Sequence, residues 1–303
     1  MSILLTQVRR ELWENRGHFY ILIAILFGLI VLASAVFGIA VGGGFTGMHP
    51  TGHASGAGVA MLGLGIGHFI YMIYSASLLG YLSGTLYDDR KDGSVLFWRS
   101  LPVSDTTVVA GKVLTAGIVG PFFVWIAVVL GHLIALLALA TAASARGAVG
   151  FSVFASPGAL FGTWGFFAYA LAIQTLWWLP YYGWFLFVSA ASLRGKPFIW
   201  AVLPPLIVGL GEMLINHTLH VFQFLSSHLV MSPVFNGWPI FGVTDDNGMI
   251  NAITQSAAST NPLYSGAGWV SHFLAMPSMW IGVAIGLVLL ALAVVARRYS
   301  ATA

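Results

Sequence analysis

The chain has 303 residues, 58% of them hydrophobic and only 7% charged, against about a quarter charged in an ordinary globular domain. A water-soluble fold is excluded, because Gly17–Tyr87, Gly147–Leu193 and Asn247–Ala296 contain no Asp, Glu, Lys or Arg, and such stretches belong in lipid. The 12 basic residues against 9 acidic ones read as cations gathered in loops on one side of a membrane rather than as a nucleic-acid surface, and without cysteine there is no disulfide or thiolate chemistry.

Residues 1–17 are too polar to span. Leu4, Val8 and Leu12 recur every four residues while Gln7, Arg10, Glu11 and Glu14 take the other face, which predicts an interfacial helix on the inner leaflet. A frayed polar tail is the alternative. Ala33-Ser34-Ala35 has the look of a leader cleavage site, but the segment before it is long and holds Glu11 and Glu14, and the apolar run continues to Val41. It reads instead as a first span.

About 20 apolar residues cross a hydrocarbon core of about 30 Å, which places spans near 18–41, 62–86, 113–140, 166–192, 198–216 and 277–296. With the N-terminus cytoplasmic, Arg9, Arg10, Arg16, Arg90, Lys91, Arg99, Lys112, Arg194, Lys196, Arg297 and Arg298 lie inside and Arg146 alone lies outside, so both ends are expected in the cytoplasm. Glycines at four-residue spacing, Gly63/Gly67, Gly80/Gly84 and Gly282/Gly286, suit close helix approach within a subunit or between two. Among the spans, His18, His68 and His132 read as residues bonded to neighbouring helices rather than as a proton relay. Glu212 is the one acid in a predicted span. It lies roughly 24 Å from Lys196 along a helix, toward the external side, where it is a candidate gate or substrate contact or a carboxylate reaching outer water, the second being preferred.

The segment 217–276 follows as an external helical segment before the last span. His217, His220 and His228 fall on one helical stripe, but His228 is roughly 12 Å along the axis from His220, too far for one metal ion. With Leu219, Phe222 and Leu225 they read as an interfacial amphipathic helix, and no metal site is expected.

Catalytic signatures are missing. Gly111-Lys112 and Gly195-Lys196 are followed by Val113 and Pro197, so the chain has no phosphate-cradling loop of its own; there is no HExxH, and Ser265-Gly266-Ala267-Gly268 does not make a nucleophile elbow. A non-catalytic membrane subunit is expected.

The loop between the second and third spans, 87–112, concentrates charge and turn chemistry. Asp88-Asp89-Arg90-Lys91-Asp92 leads into Gly93 and then Ser94, a plausible N-cap. Val95, Leu96, Phe97, Trp98 and Leu101 then give a short helix more apolar surface than it can leave in water, so something covers it. Pro102 ends that helix, and Ser104 or Asp105 caps the next one, which enters the membrane past Lys112.

An acidic-basic run, Gly-Ser, an apolar stretch, Leu-Pro-Val-Ser and a Lys at the head of the next span together resemble the coupling-helix loop of type-2 ATP-binding-cassette export permeases. The expected fold agrees over the whole chain: an all-α integral membrane protein forming one domain, 1–303, with an N-terminal elbow helix, six spans, a cytoplasmic coupling helix and an external segment before the last span. The resemblance implies a subunit of the inner (cytoplasmic) membrane that pairs with a second permease chain, here taken as identical, and with two copies of a cytosolic ATPase that carry the ATP and Mg. The permease holds no cofactor of its own. Ser94, Val95, Leu96, Phe97, Trp98, Leu101 and Pro102 would be the ATPase-docking residues. The expected cargo is amphipathic or hydrophobic, peptide or lipid-like, suited by Trp177, Trp178, Tyr181 and Tyr182 around Pro180, although a bilayer-facing aromatic belt explains these equally well. Two other classes compete: a membrane-anchored assembly or sensory protein with an external partner-binding segment, and an ion-coupled secondary transporter.

Overall fold

A computed structural model describes residues 3–17, 28, 56–91, 103–144, 157–192, 195–214 and 274–300. Among these residues the chain is helical without a strand. In chain order the helices are α1 (Ile3–Glu14), α2 (Gly56–Lys91), α3 (Asp105–Leu114), a π-helical turn (Thr115–Val119), α4 (Gly120–Ser144), α5 (Pro157–Trp177), α6 (Leu179–Ala191), α7 (Pro197–Leu214) and α8 (Pro277–Ser300). Three stretches, Leu62–Lys91, Asp105–Thr141 and Pro277–Tyr299, are long and apolar enough to cross a membrane, as expected for the second, third and sixth spans. The expected first span and the external segment 217–276 lie outside the described residues.

Two boundaries shift. Over the expected fourth span, 166–192, the helix starts earlier, at Pro157, and the chain forms two helices that meet at Trp178, whose φ of −90° and ψ of 2° break the regular turn just ahead of Pro180; neither is among the three stretches above. Of the loop 87–112, Tyr87–Lys91 belong to the last turn of α2 and Asp105–Lys112 to α3. Ser104, not Asp105, is the N-cap of α3, its Oγ accepting from the Thr107 N–H at 3.1 Å.

The core is built around α2. Leu64, Ile70, Tyr71, Tyr74, Leu78, Tyr81, Leu82 and Leu86 recur every three or four residues and are buried against Val124, Val128, Phe167, Leu171 and Phe185. Glycine sets the closest approaches. A Cβ on Gly67 would lie 2.0 Å from Phe167 Cζ and one on Gly63 would lie 2.5 Å from His132 Cε1, whereas Gly80 faces open space. At the α6–α8 crossing, a Cβ on Gly183 would lie 2.6 Å from the Gly286 carbonyl oxygen. Gly63, Gly67 and Gly286 therefore serve contacts within one chain.

Of the three span histidines, His132 is bonded to a neighbouring helix as expected, His68 contacts a carbonyl of its own helix, and His18 lies outside the described residues. His132 Nδ1 accepts from Trp164 Nε1 of α5 at 3.2 Å, and His68 Nδ1 lies 2.8 Å from the Leu64 carbonyl of its own helix. Trp177, Trp178, Tyr181 and Tyr182 are buried in the core, so they do not form a bilayer-facing belt.

Prolines inside helices leave carbonyls without a partner, and other helices supply the donors. Pro121 has no N–H, and the π-turn before it widens the backbone ring. Tyr74 of α2 donates to the Ala116 carbonyl at 3.0 Å and Thr175 of α5 donates to the Gly117 carbonyl at 2.9 Å. The Tyr74 hydroxyl reaches in because Gly120 has no side chain: a Cβ there would lie 2.1 Å from it. In α7, Pro205 deprives Ala201 of its helical partner, and Trp184 Nε1 fills the vacancy at 2.8 Å.

Candidate functional site

The densest polar feature lies at the end of the bundle where α1 sits beside the end of α2, the start of α3 and the end of α8. It is a buried ion cluster. Lys112 and Glu11 are each 1% exposed, and Lys112 Nζ donates to Glu11 Oε1 at 2.8 Å. The same ammonium donates to Thr85 Oγ1 at 2.7 Å and to the Thr85 carbonyl at 3.2 Å, and stands 3.3 Å from Asp89 Oδ2. Glu11 Oε2 accepts from the Tyr81 hydroxyl at 2.8 Å.

Asp89 is the hub. Arg297 Nη1 donates to its Oδ2 at 3.1 Å, and Arg10 Nη2 reaches its Oδ1 at 3.4 Å. Arg297 continues outward through Nε to Asp105 Oδ1 at 3.1 Å, and Arg10 through Nε to Glu14 Oε1 at 2.6 Å. Each buried charge thus faces an opposite one at hydrogen-bond range. Geometry of this quality is what a buried ion needs, because taking it out of water alone costs several kcal/mol.

Local sequence explains the placement. Lys112 shares its helical face with Val108, Val109, Thr115 and Ala116, all buried, so the backbone delivers the ammonium to the interior. Gly111 lets α1 come close: a Cβ there would lie 3.1 Å from Gln7 Cβ. The face of α1 turned inward is the polar one, with Gln7 and Glu11 buried and Leu4 and Val8 only half-buried, while Ile3, Leu5 and Trp13 are exposed. The expected split of that helix, apolar stripe to the membrane and polar stripe away, is therefore rotated. With the apolar face turned inward instead, the buried Lys112 ammonium would lose the Glu11 carboxylate 2.8 Å away, and a buried charge stripped of its partner costs several kcal/mol.

A second set of contacts ties the end of α2 to the connection between α6 and α7. Arg90 Nη2 donates to the carbonyls of Ser189 at 3.0 Å and Ser192 at 2.5 Å, and the Gly195 N–H donates to the Tyr87 hydroxyl at 3.1 Å. Gly195 at φ +33° and Lys196 at φ +63° make the turn into α7.

Of the residues singled out in the sequence, Ser94, Val95, Leu96, Phe97, Trp98, Leu101 and Pro102 lie outside the described residues, as do His217, His220 and His228. Glu212 lies near the end of α7 and is 8% exposed, so it is held within the fold rather than extended into water. Glu212 is carried by α7, whereas the ion cluster is built from residues of α1, α2, α3 and α8. Among the described residues no group of three His, Asp, Glu or Cys side chains is arranged to hold a metal.

The cluster was not anticipated. By sequence alone Lys112 and Arg297 read as cytoplasmic cations and Glu11 as part of the polar face of an interfacial helix. The one sequence signal for it is Lys112, a lysine with apolar or small residues three and four positions away on both sides. Comparison with known proteins yields no relative: no protein-family model matches the chain, and no curated protein or solved structure is detectably similar to it.

Proposed function

We propose that the chain is the membrane-spanning permease of an ATP-driven exporter, working as a pair of permease chains with a separate cytosolic ATPase docked on the loop from Asp88 to Asp105. One observation carries the reading beyond the sequence resemblance. Both stems of that loop are clamped by the ion cluster, the leading stem through Asp89 and the trailing stem through Asp105 and Lys112, and the same clasp holds α1 and α8. A push on a loop fastened this way is passed to four helices at once instead of being absorbed by a slack linker. An apolar loop sequence on braced stems suits a docking element that transmits force. The aromatic residues around Pro180 are spent in the core and are not assigned to cargo.

The test is recovery of the chain from its native membrane in mild detergent. A Walker-containing ATPase should accompany it in equal amount, and Trp98→Asp or Leu101→Asp should abolish that recovery while leaving insertion intact, since a charge in an apolar dock is costly. A chain that purifies without any ATPase and supports ion-dependent uptake would replace this reading with a secondary transporter.

A further inference from the structure

The rotation of α1 leaves an outward stripe that its amphipathic pattern does not advertise. At about 100° per residue, Leu5, Arg9 and Trp13 fall within roughly 80° of one another, one above the next along α1, and Arg16 follows two residues past its end. All four are exposed, Trp13 to 61%. Arg16 folds back on Trp13, with its guanidinium carbon 5.6 Å from the ring centroid and its Nε donating to the Trp13 carbonyl at 3.1 Å.

The charge on this end of the molecule is sorted in the same sense. The acids Glu11 and Asp89 are buried with cations, while Glu14, paired with Arg10, and Asp88 are exposed. The cations Arg9, Arg16, Lys91, Lys196 and Arg298 are exposed. Among the described residues these five exposed cations outnumber the exposed acids Asp88 and Glu14, so the rim is net positive, and Tyr299 is exposed next to Arg298.

We infer that the Leu5–Arg9–Trp13–Arg16 stripe is a binding surface for anionic phospholipid. The two guanidinium groups meet phosphate oxygens, and the Leu5 and Trp13 side chains enter the headgroup boundary between them. A neutral bilayer would satisfy Leu5 and Trp13 but not the arginines, and an acidic protein partner would leave Leu5 and Trp13 without apolar cover. Only an anionic lipid surface matches all four residues. This inference does not depend on the proposed exporter role, and its test needs no ATPase.

The experiment uses the full chain in nanodiscs with a bimane fluorophore on Thr6→Cys, the only thiol present. Brominated lipid is supplied at equal mole fraction as phosphatidylglycerol or as phosphatidylcholine. Quenching should report a preference for phosphatidylglycerol on the order of tenfold, from two arginines near an anionic surface. Arg9→Gln with Arg16→Gln should reduce that preference to about one, while Arg9→Lys with Arg16→Lys should keep most of it. Inorganic phosphate added to phosphatidylcholine nanodiscs should change nothing. Equal quenching by the two lipids, or a preference that survives the double glutamine variant, would overturn the inference. A fluorescence response to free phosphate would reassign the stripe to a soluble anion.

Discussion

Removing the Lys112 ammonium is the sharpest probe of the ion cluster. In Lys112→Met the methylenes remain but Glu11, 1% exposed, keeps only uncharged donors: Tyr81 at 2.8 Å, Asn15 at 3.4 Å and Thr85 at 3.5 Å. An uncompensated buried carboxylate of this kind costs about 3–5 kcal/mol. Glu11→Gln is a milder lesion, because Lys112 still has Asp89 at 3.3 Å and both Thr85 oxygens. A cost of about 1–2 kcal/mol is expected there, that of a charge-assisted hydrogen bond made neutral. The double variant restores local neutrality, and its cost should fall about 2 kcal/mol or more below the sum of the single effects. Thermal unfolding in one detergent, followed by tryptophan fluorescence, measures all three. Strict additivity of the two substitutions, or a Glu11→Gln lesion larger than Lys112→Met, would refute the pairing described above.

Other expectations concern packing, helix defects and orientation. Gly67→Ala should destabilise the chain by about 1–3 kcal/mol by driving a methyl into Phe167, with Phe167→Leu relieving much of it, whereas Gly80→Ala, facing open space, should be neutral or mildly stabilising in the same melts. Tyr74→Phe strands the Ala116 carbonyl at a cost of about 1–3 kcal/mol, and the penalty should shrink in a Pro121→Ala background, where a backbone N–H is available again; a double-mutant cycle reads the difference. An impermeant thiol reagent applied to intact cells should label Ser259→Cys and spare Ser300→Cys if both termini are cytoplasmic, and the reverse pattern would invert the topology.

Sequence and structure part company where tertiary pairing overrides a one-dimensional pattern. The stretches 62–86 and 277–296 needed only length and apolar content, and helices stand there. Near residue 113 the same rule cut too late, because Lys112 looks like a membrane boundary to any count of charges, yet its partner Glu11 comes from a helix 101 positions away in the chain. Likewise, a helical wheel of α1 ranks faces by hydrophobicity. It has no means of knowing that an ammonium waits on α3 for Glu11. Pro180 was visible, but the break at Trp178 depends on how α5 and α6 settle onto the core. Burial of Trp177, Trp178, Tyr181 and Tyr182 follows from α2 and α8 packing around them, which composition does not encode.

The crossing of α6 and α8 at Gly183 and Gly286 brings main chain close against main chain, the Gly286 carbonyl facing Gly183 and the Leu179 carbonyl facing Gly286, with the Leu179 and Leu289 side chains beside them. Side-chain interfaces loosen by rotamer changes of a fraction of a kcal/mol, whereas two backbones in contact have no such soft coordinate. The pair is therefore a single strut. Rearrangement of this chain must proceed by moving other helices around it, and any passage that opens between helices opens somewhere other than this seam.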